Sequence, residues 1–212
     1  MKRKSDVAVM WKEAGILFAI TLIAGILLGF VYELTKEPIR IQQEKAVQEA
    51  CAAVFPGEQN LEFREIELAV GNGTAGLESL ELPQGVEIGS VYEAVNQSGQ
   101  FLGYVVESTS TQGYGGNIVL YVGVTADGTV GGVSILDISE TAGLGMEAPK
   151  VLAPQFAGKR VEQFSYTKTG SRADSEVDAI SAATVTTKAV VNAVNGALRT
   201  AQILLQGGGA HE

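Results

Sequence analysis

Cysteine and histidine are nearly absent from this chain of 212 residues. The one cysteine is Cys51 and the one histidine is His211, beside the C-terminus. One thiol and one imidazole cannot form an internal disulfide, a four-cysteine iron–sulfur cluster or a histidine-rich zinc site. Redox chemistry in this chain therefore requires an organic cofactor, and we expect no metal site.

Positive charge is also scarce, with 15 lysines and arginines against 24 acidic residues and a net charge of −9. A nucleic-acid surface needs a clustered excess of basic residues, so we expect no nucleic-acid partner. Glycine, in contrast, is abundant: the chain has 26 glycines, well above the usual share of about 7%. This excess predicts tight turns and backbone-lined sites.

One long apolar run is present near the N-terminus. The 19 residues from Ala14 to Tyr32 carry no charge and make roughly 28 Å of helix, close to the thickness of the bilayer core. A secretory signal peptide has an apolar region of about 7 to 15 residues and a small-residue cleavage site, and this run has neither. We therefore predict a transmembrane helix over residues 14–34 after a short segment, 1–13.

The charges on either side of the run predict its orientation. Four basic residues precede it, namely Lys2, Arg3, Lys4 and Lys12. The positive-inside rule then places residues 1–13 in the cytoplasm and residues 33–212 outside the cytoplasmic membrane. The outer part has 11 basic and 22 acidic residues, so it is repelled by anionic lipid and we expect it to be held by protein contacts.

The outer part begins with a pattern typical of an amphipathic helix. From Ile39 to Phe55 apolar residues recur at helical spacing, and Pro56-Gly57 ends the pattern. Residues 35–57 are therefore predicted to form a helix and linker. Cys51 lies on the apolar face as a small core residue, and no redox role is assigned to it.

Residues 58–206 are predicted to form one domain of class α+β, an antiparallel sheet packed by helices. A loop is expected over Gly71–Gly89, followed by four strands. The strands are placed at Val91–Asn96, Phe101–Ser108, Asn117–Thr125 and Val130–Asp137. The segments 97–100 and 126–129 between them contain Ser-Gly and Asp-Gly, which are typical of hairpin turns.

Two helices complete the predicted domain. A short helix is expected near Ala148–Phe156, and a final helix from Val185 to Leu205. The final helix has one apolar face, formed by Val191, Val194, Leu198, Ala201 and Leu205. Residues 207–212 begin with three glycines and are expected to form a flexible tail.

Two glycine-rich loops carry the residue types of a binding site. In the first, Gln112-Gly113-Tyr114-Gly115-Gly116-Asn117, glycines come directly before a strand and allow a ligand to approach free backbone N–H groups. The second, Ser139–Gly145, suits a planar ligand that lies on glycine backbone with Leu144 against it. Taken alone, the first segment is better explained as a plain loop, and the second is equally well explained as a turn that enters a helix.

The segment Asp178–Thr187 opens the final helix with several hydroxyl side chains. Hydroxyls and unpaired backbone N–H groups at a helix N-terminus form an anion site, which a phosphate can occupy. The alternative is that Ser181 or Thr184 caps the helix and stabilises it by about 1 kcal/mol.

Taken in order along the chain, these segments resemble a known protein family. The chain has, in this order, a Gly-Tyr-Gly-Gly turn, a strand, an Asp-Gly turn, a Glu-Thr-x-Gly-Leu-Gly loop and an Asp-x-x-Ser-x-Ala-Thr helix start. The chain is similar to the G subunit of the Rnf electron-transport complex, an FMN-binding domain family related to the C subunit of the Na⁺-translocating NADH:quinone reductase. The resemblance covers the membrane span and nearly all of the outer domain.

The resemblance implies covalent FMN, joined by a phosphoester to Thr184 as the last residue of the family's Ser/Thr-Gly-Ala-Thr motif. The family's glycine is Ala182 here, and at a positive φ that alanine costs about 1 kcal/mol. No residue is assigned a catalytic role. The implied cofactor-binding residues are Thr184, Ser181, Ala183, Val185, Thr186, Asp178, Tyr114, Gly115, Gly116, Glu140, Thr141, Gly143, Leu144 and Gly145.

The implied function is that of a redox subunit in a membrane-bound, ion-translocating ferredoxin:NAD oxidoreductase complex, with no substrate turnover of its own. Its implied partners are the other membrane subunits, membrane lipid, and a flavin transferase that attaches FMN from FAD. Two alternatives stay open. One is the C-type quinone-reductase subunit, for which this chain is short, and the other is a membrane-tethered binding or sensory domain without flavin.

Overall fold

A computed structural model describes residues 3–55, 61–66 and 81–207. The chain divides into two compact units, residues 1–45 and residues 46–212, and each is described by itself. Three predicted segments lie wholly or partly outside the described residues: Pro56-Gly57, the loop from Gly71 as far as residue 80, and the tail from residue 208.

The first unit consists of most of helix α1 (Arg3–Ala53), which is apolar from Trp11 to Phe30 with a mean hydropathy of 2.2. Its large apolar side chains in this stretch are all exposed, from 50% at Leu22 to 76% at Trp11. A soluble helix usually buries an apolar stripe and exposes a polar one. This stretch is long and apolar enough to cross a membrane once. The backbone stays helical to Ala53, so no break separates it from the predicted amphipathic helix.

The second unit is built on a five-stranded antiparallel sheet whose strand order follows the chain order. The strands are β1 (Glu62–Ile66), β2 (Val86–Val95), β3 (Phe101–Ser110), β4 (Ile118–Thr125) and β5 (Val130–Ile138). All four predicted strands are present, which confirms the antiparallel sheet. The loop predicted over Gly71–Gly89 is too long, because β2 already begins at Val86. Gly85 and Gly89 interrupt the pattern of apolar residues that would have identified the start of this strand.

The sequence pattern misses three strands. β1 lies at the sheet edge and exposes two glutamates and an arginine, so only Phe63 and Ile66 mark it as a strand. β6 (Ser165–Thr167) and β7 (Glu176–Asp178) form a separate two-stranded parallel sheet. Strands of three residues are too short for alternation to be recognised.

Side-chain hydrogen bonds confirm both predicted hairpin turns. Asn96 Oδ1 accepts the N–H of Gln100 at 2.9 Å, and Asp127 Oδ1 accepts the N–H of Thr129 at 3.2 Å. The glycines of the two turns have φ values of 79° and 86°, in the region that favours glycine.

Helix α3 (Thr184–Gly207) buries its predicted apolar face against the sheet and extends one residue before and two beyond the expected bounds. Of that face, Leu205 is only partly buried. α3 also buries four polar residues, namely Thr186, Thr187, Asn195 and Thr200. The side chain of Asn195 donates to the carbonyl oxygen of Phe164 at 2.9 Å and accepts the N–H of the same residue at 2.8 Å, so its amide oxygen and its NH₂ group both have a partner.

The last turns of α1 cover the other face of the sheet. A Cβ at Gly123 would lie 2.7 Å from the carbonyl oxygen of Val54, and one at Gly131 would lie 2.5 Å from it, so glycine is required at both positions. Cys51 is fully buried there, as predicted for a core residue. Burial, aided by the charge of Glu107, raises the pKa of the Cys51 thiol to about 12, which leaves it unreactive at neutral pH.

The helix predicted over Ala148–Phe156 is wrong in detail, because it is broken into short pieces. The segment consists of a 3₁₀ turn at Gly145–Glu147, then α2 (Ala148–Val151), then a second 3₁₀ turn at Ala153–Gln155. A proline stands at one of the first two positions of each of the last two pieces. Proline lacks an N–H group, so it begins a helix readily and cannot continue one.

Ala182, just before α3, has a left-handed backbone conformation. Its φ is 59°, and it is the one non-glycine residue with positive φ in the described part of the chain. In this region the Cβ crowds the neighbouring backbone, at a cost of about 1 kcal/mol. The alanine at the family's glycine position is therefore strained.

We expect Ala182→Gly to raise the free energy of unfolding by about 1 kcal/mol, because glycine adopts a positive φ without this clash. The measurement is urea unfolding of the full-length protein in detergent, followed by circular dichroism. Ala157→Gly is the matched control, since Ala157 is exposed and lacks a positive φ. Equal stabilisation by the two substitutions would contradict the assignment of strain to Ala182.

Candidate functional site

One carboxylate joins the three segments that the sequence singles out. Glu140, which follows β5, accepts the N–H of Gly115 through Oε1 at 3.1 Å and the hydroxyl of Thr186 through Oε2 at 2.7 Å. These partners are 25 and 46 positions away along the chain. Both glycine-rich loops and the start of α3 therefore meet at one end of the sheet.

Glycines make this convergence possible, because they have no side chain. A Cβ at Gly145 would lie 2.6 Å from Thr186 Oγ1 and 2.8 Å from Glu140 Oε2, and a Cβ at Gly113 would lie 2.8 Å from Glu140 Oε1. A Cβ at Gly115 would collide with a backbone carbonyl oxygen. Real Cβ atoms do not approach other atoms this closely, so the segments can meet only at glycines.

The first loop, residues 113–116, is largely open to solvent. Tyr114 is 75% exposed, a high value for an aromatic side chain, and the two glycines after it are also exposed. Gly116 has a φ of 149°. The loop thus offers an accessible aromatic ring beside accessible backbone.

The second loop, residues 140–145, folds back on itself. The carbonyl oxygen of Thr141 accepts the N–H of Leu144 at 3.1 Å and that of Met146 at 3.3 Å, and Gly143 at the tip has a φ of 74°. The side chain of Leu144 is half-buried against the main core, whereas Thr141 is exposed. An exposed hydroxyl therefore lies on the same short loop as an apolar side chain.

Hydrogen bonds before α3 fix the start of the helix. The N–H of Ala183 donates to the carbonyl oxygen of Ile180 at 3.1 Å. The hydroxyl of Thr187 donates to the carbonyl oxygen of Ala183 at 2.9 Å and accepts the N–H of Ile180 at 3.1 Å. Within the described residues the hydroxyls of Ser181 and Thr184 form no hydrogen bond, so neither of them caps the helix.

The three threonines of the first turn differ in how their hydroxyls are used. Thr186 is 2% exposed and donates to Glu140, while Thr187 is fully buried and both donates and accepts. Thr184 is half-buried, and its hydroxyl is uncommitted in the part of the chain that the structure describes. Of the three, Thr184 alone presents an available hydroxyl at the N-terminus of α3.

The remaining predicted residues of this segment lie in different surroundings. Ala183 is buried and Val185 is 50% exposed on the first turn of α3. Asp178 is used elsewhere: its carboxylate accepts the N–H of Ser171 at 2.6 Å, and its own N–H donates to the side chain of Gln155 at 2.7 Å. The structure therefore does not bring the Asp178 carboxylate to Glu140 but uses it to shape the 171–178 turn.

Two structurally important residues are not among the predicted cofactor-binding residues. Thr187 ties the turn before α3 to the helix, and Gly113 leaves room for Glu140. A threonine hydroxyl inside a helix often bonds the carbonyl four residues earlier, so the role of Thr187 was readable from its position. Gly113 belongs to the Gly-Tyr-Gly-Gly turn that the sequence singles out, but no local pattern shows that it lies against Glu140, which is distant in sequence.

The arrangement fits FMN, which has a flat aromatic ring at one end and a phosphate at the other. The N-terminus of α3 favours an anion through its unpaired N–H groups and its dipole. Leu144 and Tyr114 offer apolar and aromatic surface to a ring, and the loop glycines other than Gly115, whose N–H donates to Glu140, offer backbone N–H groups.

Comparison with known proteins agrees with this geometry. A model of the FMN-binding domain matches residues 113–199, which begin at the first glycine-rich loop and end within α3. A model of the RnfG N-terminal region matches residues 1–54, which contain the apolar helix.

Individual relatives match nearly the whole chain. The G subunit of the Na(+)-translocating ferredoxin:NAD(+) oxidoreductase complex of Acetobacterium woodii is 30% identical over 96% of this chain and 99% of its own. The G subunit of the ion-translocating oxidoreductase complex of Methanosarcina acetivorans is 31% identical over 92% and 95%. Among solved structures, the C subunit of the Na(+)-translocating NADH-quinone reductase of Parabacteroides distasonis is 27% identical, with a TM-score of 0.46 over 58% of this chain and 64% of that chain.

Both of these G subunits are covered almost from end to end, which shows the family as well as the domain. The match to the FMN-binding domain includes both glycine-rich loops and the start of α3. The chain belongs to the family of G subunits of ion-translocating oxidoreductase complexes, and it carries an FMN-binding domain.

Proposed function

We propose that this protein is an electron-carrier subunit that holds FMN covalently on Thr184, within an ion-translocating ferredoxin:NAD oxidoreductase complex. The observation that carries the proposal is the uncommitted, half-buried hydroxyl of Thr184 at the start of α3. It stands two residues before Thr186, which is bonded to Glu140 where both loops converge. The FMN-binding domain match and the related G subunits support this assignment.

Each part of the site has a role toward the flavin. When bound, FMN supplies a ring that accepts and releases electrons, and the protein tunes it through hydrogen bonds, charge and burial. Leu144 offers the ring an apolar face, Tyr114 an aromatic contact, and Thr141 and the loop glycines hydrogen-bond donors. Ser181, Ala183 and Val185 surround the attachment point, and the N–H groups of α3 stabilise the phosphate.

Attachment requires a separate flavin transferase that uses FAD, because the sequence has no motif of a nucleotide-activating site. Thr184 Oγ1 forms a bond to the flavin-side phosphorus of FAD while the bond between the two phosphates breaks. AMP leaves, and the hydroxyl proton is released to a base of the transferase. A phosphoester keeps the cofactor on an exposed carrier, from which non-covalent FMN would be lost by dilution.

Electrons pass through this flavin between cofactors of neighbouring subunits of the complex. Cys51 takes no part, because it is fully buried and its thiol pKa is raised to about 12. The C-type quinone-reductase alternative is less well supported, since the relatives that match nearly the full chain are G subunits. A domain without flavin is disfavoured by the FMN-binding match.

The site faces the outside of the cytoplasmic membrane in this proposal. Four basic residues precede the uncharged run Ala14–Tyr32, which supports a cytoplasmic N-terminus. Membrane lipid then surrounds this stretch, whose large apolar side chains are exposed. The transferase must act on the same outer side as the domain.

Thr184→Ala is expected to abolish covalent FMN, because it removes the oxygen that bonds to phosphorus. The measurement is the intact mass of the full-length protein purified from cells that contain the transferase. The wild type should exceed its sequence mass by one FMN less one water, and Ser181→Ala, the matched control, should do the same. A flavinylated Thr184→Ala protein alongside a flavin-free Thr186→Ala or Thr187→Ala protein would show that the attachment site is wrong.

Protease added to right-side-out membrane vesicles is expected to digest the domain that follows α1, because the basic N-terminus stays in the cytoplasm. Immunodetection of an epitope at the C-terminus measures the loss. Inverted vesicles are the control and should protect the epitope. The opposite result in the two preparations would reverse the topology.

Replacing Thr141 and Leu144 together by alanine is expected to leave covalent FMN in place but to shift its midpoint potential and absorption maxima, because a hydrogen-bond donor and an apolar face are lost. Spectroelectrochemistry of the purified protein measures both. Leu136→Ala, which truncates an exposed leucine of β5, is the control and should change neither. An unchanged potential and spectrum in the double variant would place the ring elsewhere.

A further inference from the structure

Glu140 lies at the centre of the proposed FMN site, yet both of its carboxylate oxygens are already bonded to protein. Oε1 accepts the N–H of Gly115 and Oε2 accepts the hydroxyl of Thr186. The two donors belong to two other segments of the chain. A carboxylate with both oxygens occupied in this way is suited to holding segments together rather than to binding a ligand.

The bond to Thr186 is shielded and sterically fixed. Thr186 is 2% exposed, and buried Gly145 packs so closely that a Cβ there would lie 2.7 Å from Glu140 Cβ. A hydrogen bond to a charged group contributes enough to shift an equilibrium about tenfold or more. The position of the two loops relative to the first turn of α3 therefore depends strongly on this one side chain.

We propose that Glu140 is a positioning residue that clasps the two glycine-rich loops to the first turn of α3 and so determines how closely the flavin ring is held. This inference rests on the proposed attachment at Thr184, in the same turn as Thr186. The phosphoester fixes only one end of FMN. The ring stays enclosed only if the loops that contact it are fixed to the same turn as the attachment point.

Substitution by glutamine separates position from charge. The amide oxygen of a glutamine at position 140 can accept the N–H of Gly115, and its NH₂ group can donate to Thr186, because a hydroxyl both donates and accepts. Glu140→Gln therefore keeps the clasp and removes the charge, whereas Glu140→Ala removes both. Two substitutions test the same hydrogen bond at its donor, Thr186. Thr186→Val removes the hydroxyl, and Thr186→Ser keeps it.

The test uses the full-length protein purified with its attached FMN. Intact mass reports attachment, iodide quenching of flavin fluorescence reports exposure of the ring, and spectroelectrochemistry reports the midpoint potential. Glu147→Ala is the matched control, because Glu147 is half-buried seven residues away and its carboxylate forms no hydrogen bond with the described residues.

Glu140→Ala and Thr186→Val should retain the FMN mass, increase iodide quenching and move the potential toward that of free FMN. Glu140→Gln and Thr186→Ser should restore the wild-type values of both. The double variant Glu140→Ala, Thr186→Val should equal Glu140→Ala, because the two changes break the same bond. If Glu140→Ala does not fold, the two Thr186 variants still show whether this hydrogen bond controls the exposure and the potential of the flavin ring.

Three results would overturn the clasp. The first is that Glu140→Ala and Thr186→Val keep the wild-type potential and quenching. The second is that Glu140→Gln changes these values as much as Glu140→Ala does. The third is that Glu140→Ala loses the FMN mass. The second would assign the effect to charge, and the third would assign Glu140 to attachment. Absence of FMN from the wild-type protein is a different result, which would refute the proposed function itself.

Discussion

The apolar side chains on both faces of one antiparallel sheet must be buried, and the arrangement of the domain follows from that requirement. Alternate residues of a strand point to opposite faces, so Leu120 and Val122 of β4 face α3, whereas Tyr121 faces the last turns of α1. Burying a side chain of this size contributes about 1.5 to 3 kcal/mol. Helices thus occupy both faces, and the strand ends remain as the place where loops can form a site.

Local sequence signals explain why most of the sheet could be predicted. The strands β3 to β5 are short apolar runs, the turns between strands contain Asn, Asp and Gly, and α3 repeats apolar residues at helical spacing, so each element is marked by its own residues. The elements that were missed lack such marks. β1 is an edge strand with charged side chains, β6 and β7 have three residues each, and the helix expected from Ala148 is interrupted by proline.

The site was predictable as a set of segments but not as a set of contacts. Glycines and hydroxyls identify the loops and the start of α3 locally, and the family resemblance assigns them to one cofactor. The hydrogen bond between Glu140 and Thr186 spans 46 positions and depends on where β5 ends relative to α3, which no local pattern contains. For the same reason the sequence could not show that the hydroxyl of Thr186 is engaged while that of Thr184 is not.

The contact between Val54 and the two glycines of β5 is one of main chain against main chain. A Cβ at Gly131 would meet the carbonyl oxygen of Val54 at 2.5 Å, and a Cβ at Gly132 would meet its Cα at 3.1 Å. A smaller side chain at position 54 leaves these backbone atoms in place. In a genetic screen, second-site suppressors of Gly131→Ala should therefore be missing at position 54 and appear where they let the last turns of α1 move away from β5.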